Sequence, residues 1–325
     1  MNREQGIKLG APQAGQAHDP QRDLACSAGQ GDTTPCAALS AQRHVAAAHG
    51  ALHEVSAVHL AVQTVPVQRI NGDAMQAAED KVITEAPVAI VVNGISHAVM
   101  MATPTDLDDF ALGFALSEGL ITRPEDALDI DSVAGPNGIE LHLHVSARAE
   151  AALKATRRAM AGRTGCGLCG IESLQALQAR HPPALKATPA ITPIAPQALA
   201  SALRQLAGWQ ALHADTGGCH AAAWADAQGR ILAVREDVGR HNALDKLIGH
   251  LARSRARAAS GHQAGFVLMS SRASYELISK CARVGLGTLA AVSAPTSLAI
   301  ELATQTGVQL WGFCRGNTAV RYTPG

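Results

Sequence analysis

Apolar residues recur along this chain with two different periods, and the change of period divides it. Val88 to Val92 is a continuous apolar run of strand length, and Asn93-Gly94 has the chemistry of a tight hairpin turn. Ser96 to Met101 returns as a second strand. Thr103-Pro104 then opens a helix, with threonine at the cap, proline in the first turn, and Asp106, Asp108 and Asp109 near the positive end. Leu107, Phe110, Ala111 and Phe114 form its apolar stripe, and Gly119 ends it. From Ile139 to Val145 the period is two. Ile139, Leu141, Leu143 and Val145 point inward, while Glu140, His142 and His144 face solvent, which removes both histidines from the candidate chemistry. Ala149 to Met160 has helical spacing.

Further on, strands and helices alternate. Ile231–Val234, Phe266–Met269, Thr288–Val292 and Val308–Phe313 read as strands. Helices Asn242–Leu251, Ser274–Val284 and Ser297–Thr304 lie between them. This rhythm predicts an α/β fold with a largely parallel sheet covered by helices. Residues 65–160 form a smaller α+β subdomain before it, and 161–325 the α/β subdomain. Residues 1–64 lack sustained periodicity, are rich in Ala, Gln, Gly and His, and read as a disordered tail. Pro182 to Pro196 reads as a proline-rich linker, and Ser254 to Gln263 as a surface insertion beside Arg253, Arg255 and Arg257.

Composition narrows the function classes. The 325 residues carry 27 basic and 27 acidic side chains and are 47% hydrophobic, a balance that excludes a general nucleic-acid or membrane-surface binder. No stretch reaches the roughly 18–20 apolar residues of a membrane span. Seven cysteines and no signal-like N-terminus point to a reducing cytoplasm and free thiols.

Two of those thiols share the segment Gly165-Cys166-Gly167-Leu168-Cys169-Gly170-Ile171. Glycine before, between and after them makes a loop able to move and to approach another surface closely. Glu172 to Arg180 reads as a helix, so Cys169 lies just before a helix N-terminus, which favours thiolate over thiol. Structural zinc needs four ligands, and no second Cys-X-X-Cys is present, although Cys219-His220 could supplement the pair. A thioredoxin-like redox pair requires a preceding strand, where this chain has a helical pattern. A sulfur carrier needs only a reachable thiolate. The motif alone leaves the last two open.

Ligands of open parallel sheets bind at the carboxyl ends of the strands. Here those ends are Arg235-Glu236-Asp237 running into Gly239-Arg240-His241, then Ser270-Ser271-Arg272, Ser293-Ala294-Pro295-Thr296 and Cys314-Arg315-Gly316-Asn317. Upstream, Thr216-Gly217-Gly218-Cys219-His220 is a turn whose amides could close around an anion. Each loop alone reads as helix capping, with Asp237 as a cap and Arg240 paired to Asp237 or Glu236. Four together beside a reactive thiol loop favour a phosphorylated ligand.

Several ordered motifs carry a resemblance to a known family. They are Glu85-Ala86-Pro87, Gly113-Phe114, Glu118-Gly119, Cys166 to Gly170, Thr216-Gly217-Gly218, His220-Ala221-Ala222, Arg235 to Lys246, Ser271 to Tyr275, Ser293 to Thr296 and Gly312-Phe313. With them the chain, over roughly Thr84 to Tyr322, resembles the formate dehydrogenase accessory sulfurtransferase family, FdhD. The resemblance implies a cytidine-deaminase-like core and a homodimer. It implies that sulfur arrives as a persulfide from a cysteine desulfurase. From there it passes to the metal of a bis-molybdopterin guanine dinucleotide cofactor, before that cofactor enters formate dehydrogenase. By position Cys166 would bear the persulfide and Cys169 assist or resolve. Phe313, Cys314, Arg315, Gly316, Asn317 and Thr318 would contact the cofactor. Gly217, Gly218, His220, Asp237, Arg240, His241, Ser271, Arg272 and Ser293 complete the expected cofactor site, with no metal site of the protein's own.

Two other functions stand beside this one: a cofactor chaperone without sulfur chemistry, and a thiol–disulfide oxidoreductase. Zinc deaminase activity is excluded, because no His-X-Glu occurs and Gly165 stands where the motif has proline. Cys281 reads as a core residue. Cys219 reads as a packed residue, or as a second sulfur acceptor if exposed.

Overall fold

The computed structural model describes residues 61–159, 182, 194–257 and 264–324. The low-complexity histidines His44, His49, His53 and His59 lie outside them, as do most of the proline-rich stretch and residues 258–263. The first described strand, β1 (Val62–Asn71), starts before the expected subdomain boundary at residue 65. It pairs antiparallel with β2 (Ala74–Ile83) around Asn71-Gly72, where Gly72 takes φ 61°. This hairpin has polar residues on both faces, so no alternation announces it.

β3 (Ala86–Val92) and β4 (Ile95–Ala102) form the expected hairpin, with Asn93 and Gly94 both at positive φ as a type I′ turn demands. The following helix starts later than Thr103-Pro104 suggests. α1 spans Leu107–Ser117, and its cap is Asp106, at φ 51° and without a side-chain cap bond. The cause is a distant claim on Thr103. Its N–H donates to Asp237 (3.0 Å), its hydroxyl accepts from Val238 N (3.1 Å), and its carbonyl accepts from Lys246 Nζ (2.9 Å). β5 (Ala127–Gly135) and β6 (Gly138–Val145) complete a four-stranded sheet in the order β4-β3-β6-β5, and α2 (Ala147–Ala159) leaves it. Leu141, Leu143 and Val145 are buried and His144 is exposed, in the register expected from the alternation.

The second half contains α3 (Pro196–Trp209), α4 (Ala211–Thr216), β7 (His220–Asp226), β8 (Ile231–Asp237), α5 (Arg240–Arg257) and β9 (Gly265–Met269). α6 (Tyr275–Arg283), β10 (Thr288–Ala291), α7 (Ser297–Thr306), β11 (Gln309–Arg315) and β12 (Thr318–Arg321) follow. The sheet order is β12-β11-β10-β9-β7-β8. Only β9-β10 and β10-β11 are parallel. The β7-β8, β7-β9 and β11-β12 pairs are antiparallel, so the sheet is mixed rather than largely parallel. The difference comes from β7, which inserts between β8 and β9. Its Ala221, Ala222, Ala223 and Ala225 have no solvent exposure. Apolar side chains cover both faces of this sheet: Val267, Met269, Leu289 and Leu310 on one, Phe266, Leu268 and Ala290 against α3 on the other.

One core joins the two sheets, with α1 and α5 crossing at its centre. The crossing is as close as backbone permits. A Cβ on Gly113 would sit 1.7 Å from the Asp245 carbonyl oxygen, and one on Gly249 would sit 1.9 Å from that of Asp109. Around it run ion pairs. Asp109 accepts from Arg235 (2.7 Å) and Arg253 (3.1 Å), and Asp245 accepts from Lys280 (2.9 Å) and Ser117 (2.6 Å).

Gly249→Ala should therefore push the helices apart and lower stability by about 1–3 kcal/mol, although alanine favours a helix by ~1 kcal/mol. Urea unfolding followed by circular dichroism checks this, and an unchanged midpoint would refute the tight crossing.

Candidate functional site

Three parallel strands deliver their carboxyl ends to one edge of the sheet, and a cavity of about 600 Å³ opens there. Ser270 reaches it from the end of β9, Val292 from the end of β10, and Cys314, Arg315 and Gly316 from the end of β11. The opposite wall is Leu203, Leu206 and Ala207 of α3 with Gln210, His213 and the turn Gly217 to His220.

The glycine turn is held by a single carboxylate. Glu236 accepts the N–H groups of Leu212 and His213, both at 2.9 Å, which satisfies the start of α4, and it also accepts the Cys219 thiol at 3.3 Å. At the other end of α4, Gly217 adopts φ 65° and donates its N–H to the His213 carbonyl (2.7 Å). Gly218 N donates to the Thr216 hydroxyl (3.2 Å). The turn thus consumes the Gly217 and Gly218 amides, two of those expected to face an anion. Glycine is needed at 218 for another reason: a Cβ there would come 2.9 Å from Ile83 Cγ2.

The basic side chains that line the cavity are His213, His220 and Arg315, whereas Arg240 and His241, in the first turn of α5, are not among its lining residues. Burial, first, and then the Arg240, His213 and His241 charges hold the His220 imidazole below its ordinary pKa. Among the described residues, Arg240 Nε is buried without a hydrogen-bond partner. His241 lies 3.3 Å from the Ser274 hydroxyl and 3.7 Å from Glu276, whose carboxyl this histidine, above all, draws down to about 2.

Of the expected site residues, Gly217, Gly218, His220, Cys314, Arg315 and Gly316 line the cavity. Asp237 does not. It is fully buried, and its carboxylate accepts from Lys246 (2.7 Å), Thr103 N (3.0 Å), Gly239 N (2.8 Å) and Asn242 Nδ2 (2.9 Å), so it builds the scaffold. Ser271 is buried and donates to the Arg272 carbonyl, while Arg272 is exposed. Ser293 joins the strand-end loops, donating its N–H to the Ser271 carbonyl and accepting Phe313 N–H at its own. Phe313 is 41% exposed at φ 49°, a strained value for a bulky residue, beside an irregularity in the β11–β12 pairing. Asn317, in the turn between β11 and β12, and Thr318, the first residue of β12, are exposed. Cys166 and Cys169 lie outside the described residues.

The sequence reading missed His213, Gln210 and the α3 wall. α3 has an apolar stripe at Ala198, Leu199, Ala202 and Leu206 that was legible, and His213 had no signal beyond its closeness to the glycine turn. The three described cysteines are poor nucleophiles. Burial, first, pushes the Cys219 and Cys281 thiols up to about 12 and Cys314 to about 11, and Glu236 reinforces this at Cys219. Cys219 is therefore a packed thiol, although its residue lines the cavity.

Comparison with known proteins adds an independent line. The sequence matches the FdhD/NarQ family over residues 83–325. It is 52% identical over 262 residues to the sulfur carrier protein FdhD of Bordetella petrii, covering 79% of this chain and 90% of that protein. To the sulfur carrier protein FdhD of Burkholderia mallei it is 54% identical over 260 residues, covering 79% and 93%. The fold is similar to the crystal structure of a Desulfotalea psychrophila protein assigned as a formate dehydrogenase accessory protein. The TM-score is 0.60 at 22% identity, covering 81% of this chain and 97% of that one.

The buried thiols set an alkaline limit. Unfolded thiols ionise near pH ~8.5, while these three keep their protons when folded. The folded chain then binds more protons, so stability is whole below that pH and falls as pH climbs toward the folded values. Urea midpoints measured from pH 8 to 10.5 should fall more steeply than in a Cys219→Ser/Cys281→Ala/Cys314→Ala variant. Equal slopes would contradict the assignment.

Proposed function

This chain belongs to the FdhD/NarQ family, and on that basis we propose that it is a sulfur carrier acting in formate dehydrogenase maturation. One observation carries the reading. Of seven cysteines, Cys26 and Cys36 precede the matched residues, and Cys219, Cys281 and Cys314 are buried and held protonated. Sulfur chemistry within the matched span falls to Cys166 and Cys169.

In this reading the Cys166 thiolate attacks the outer sulfur of a persulfide on a cysteine desulfurase. The donor's S–S bond breaks, its thiolate leaves, and Cys166 becomes the persulfide. Transfer to a metal as sulfide needs two electrons. Attack by Cys169 on the inner sulfur supplies them, releasing sulfide and leaving a Cys166–Cys169 disulfide, which a thiol reductant reopens. The acceptor is the bis-molybdopterin guanine dinucleotide cofactor, carried as cargo. Its diphosphates suit His213, His220 and Arg315, which line the cavity, with Arg240 at the start of α5 as a further proposed contact. The cavity's volume is in the ~300–1,000 Å³ range of small-molecule sites, enough for a nucleotide arm. Arg315, Gly316 and the exposed Phe313 line or flank its mouth, with Asn317, Thr318, Ser271, Arg272 and Ser293 on the same sheet edge. Among the described residues no helix is long and apolar enough to cross a membrane. The proposed setting is the cytoplasm, with the chain acting as a homodimer.

Incubation with a desulfurase and cysteine, followed by peptide mass spectrometry, tests the carrier. One added sulfur should map to Cys166, and Cys166→Ala should neither load nor activate a formate dehydrogenase. Loading at a buried cysteine would overturn the assignment, and full activation by Cys166→Ala would favour a chaperone. Arg240→Gln should leave loading intact and weaken guanosine diphosphate binding by roughly tenfold, the cost of one charge-assisted contact.

A further inference from the structure

Gln210 is the joint between α3 and α4, and its backbone is held from both sides. Its N–H donates to the Ala207 carbonyl (3.4 Å), and its carbonyl accepts from Ala214 N (2.9 Å). Glu236 fixes the α4 amides that follow, Leu212 and His213. The side chain carried by this joint lines the cavity and is 8% exposed. It does not cap α4, and among the described residues its amide neither donates nor accepts a hydrogen bond. Its polar neighbours in the cavity wall are engaged. The His213 ring meets the Cys219 carbonyl (3.1 Å), the Ser270 hydroxyl accepts from Ala221 N (2.8 Å), and Arg315 Nε donates to the Val292 carbonyl (3.4 Å). A buried amide left unpaired costs more than an average hydrogen bond returns. Glutamine suits this position when a guest in the cavity completes it.

The rest of the wall says what kind of guest. Leu203, Leu206 and Ala207 precede Gln210 at helical spacing, and all four residues line the cavity. An apolar strip ending in an amide gives a flat ring a surface for its face and a partner for its edge. We infer that Gln210 reads the ring of a nucleotide: the heterocycle lies on the Leu203, Leu206 and Ala207 strip, and the amide pairs with a donor and an acceptor side by side on its edge, as in the lactam of an oxopurine. This rests on the anion-site reading above and deepens it, by naming the group that selects what the diphosphate is attached to. A side-chain amide carries one acceptor and a donor group in a single plane, which is why it pairs with base edges in two bonds at once. A charged side chain here would only have added to or opposed the field of His213, His220 and Arg315. A site built to bond such an edge also rejects a ligand without one, because the amide then stays buried and unpaired.

The test is calorimetric titration of guanosine diphosphate and of inorganic pyrophosphate into the full-length chain and into Gln210→Leu, with urea midpoints of both ligand-free proteins. Guanosine diphosphate should bind the unaltered chain more tightly than pyrophosphate does. Leucine, close to glutamine in size, should weaken guanosine diphosphate by about tenfold and leave pyrophosphate unchanged. The ligand-free midpoint should stay level or rise, because an unpaired buried amide has been removed. By NMR, the Gln210 side-chain amide resonances of the unaltered chain should shift with guanosine diphosphate and not with pyrophosphate. Unchanged guanosine diphosphate affinity in the variant, or an equal loss for both ligands, would overturn the ring contact and leave the anion site standing. A ligand-free midpoint well below that of the unaltered chain would make the amide part of the scaffold and overturn it too. If neither ligand binds the unaltered chain, the anion-site reading falls with it.

Discussion

The buried pair between Asp237 and Lys246 is the contact on which the rest of the architecture depends. Both side chains have no solvent exposure, and they meet at 2.7 Å. Taking two charges out of water costs several kcal/mol per ion unless every remaining valence is satisfied. Here it is. Asp237 also accepts from Thr103 N, Gly239 N and Asn242 Nδ2, and Lys246 also donates to the carbonyls of Thr103 and Glu236. One pair thereby fixes the end of β4, the end of β8 and the first turns of α5. Losing either partner would strand a charge at the junction of the two sheets.

That junction decides where the chemistry can sit. With α5 pinned and crossing α1 at Gly113 and Gly249, Arg240 and His241 stand fixed at the helix start. The neighbouring carboxylate, Glu236, secures α4 and the turn after it. The stretch Arg235 to Lys246 thus divides its labour. Its acids, Asn242 and Lys246 build the frame, Arg235 ties the frame to Asp109, His241 meets Ser274 and Glu276, and Arg240 Nε is left without a partner among the described residues. A polar motif at a strand end reads as a binding loop, yet most of this one is spent inside the fold.

Much of the fold was legible because burial on both faces writes strands as apolar runs. β3, β9 and β10 are of this kind, and the Asn93-Gly94 turn and the Ile139 to Val145 alternation held in register. β7 escaped because alanine carries no strand signal, although its alanines are buried on both faces of the sheet. β1 and β2 escaped because neither face is buried, and Asn71-Gly72 was their one mark. In the site, the glycine turn and Arg315-Gly316 were visible as loop chemistry. The role of Asp237 was not, since a buried acid and a ligand-binding acid are identical until its partners from distant segments are known. The same long-range pairing explains why Thr103 gave up the helix cap expected of it.

The account's central claim is that the cavity at the carboxyl ends of β9, β10 and β11 holds a phosphorylated ligand. A crystal structure of the full-length protein with guanosine diphosphate tests it most directly. The diphosphate should lie against His213 and His220, with Arg315 and Gly316 at the rim. Nucleotide bound elsewhere with this cavity vacant, for instance in the apolar pocket bounded by Leu116, Ile248 and Leu286, would contradict it.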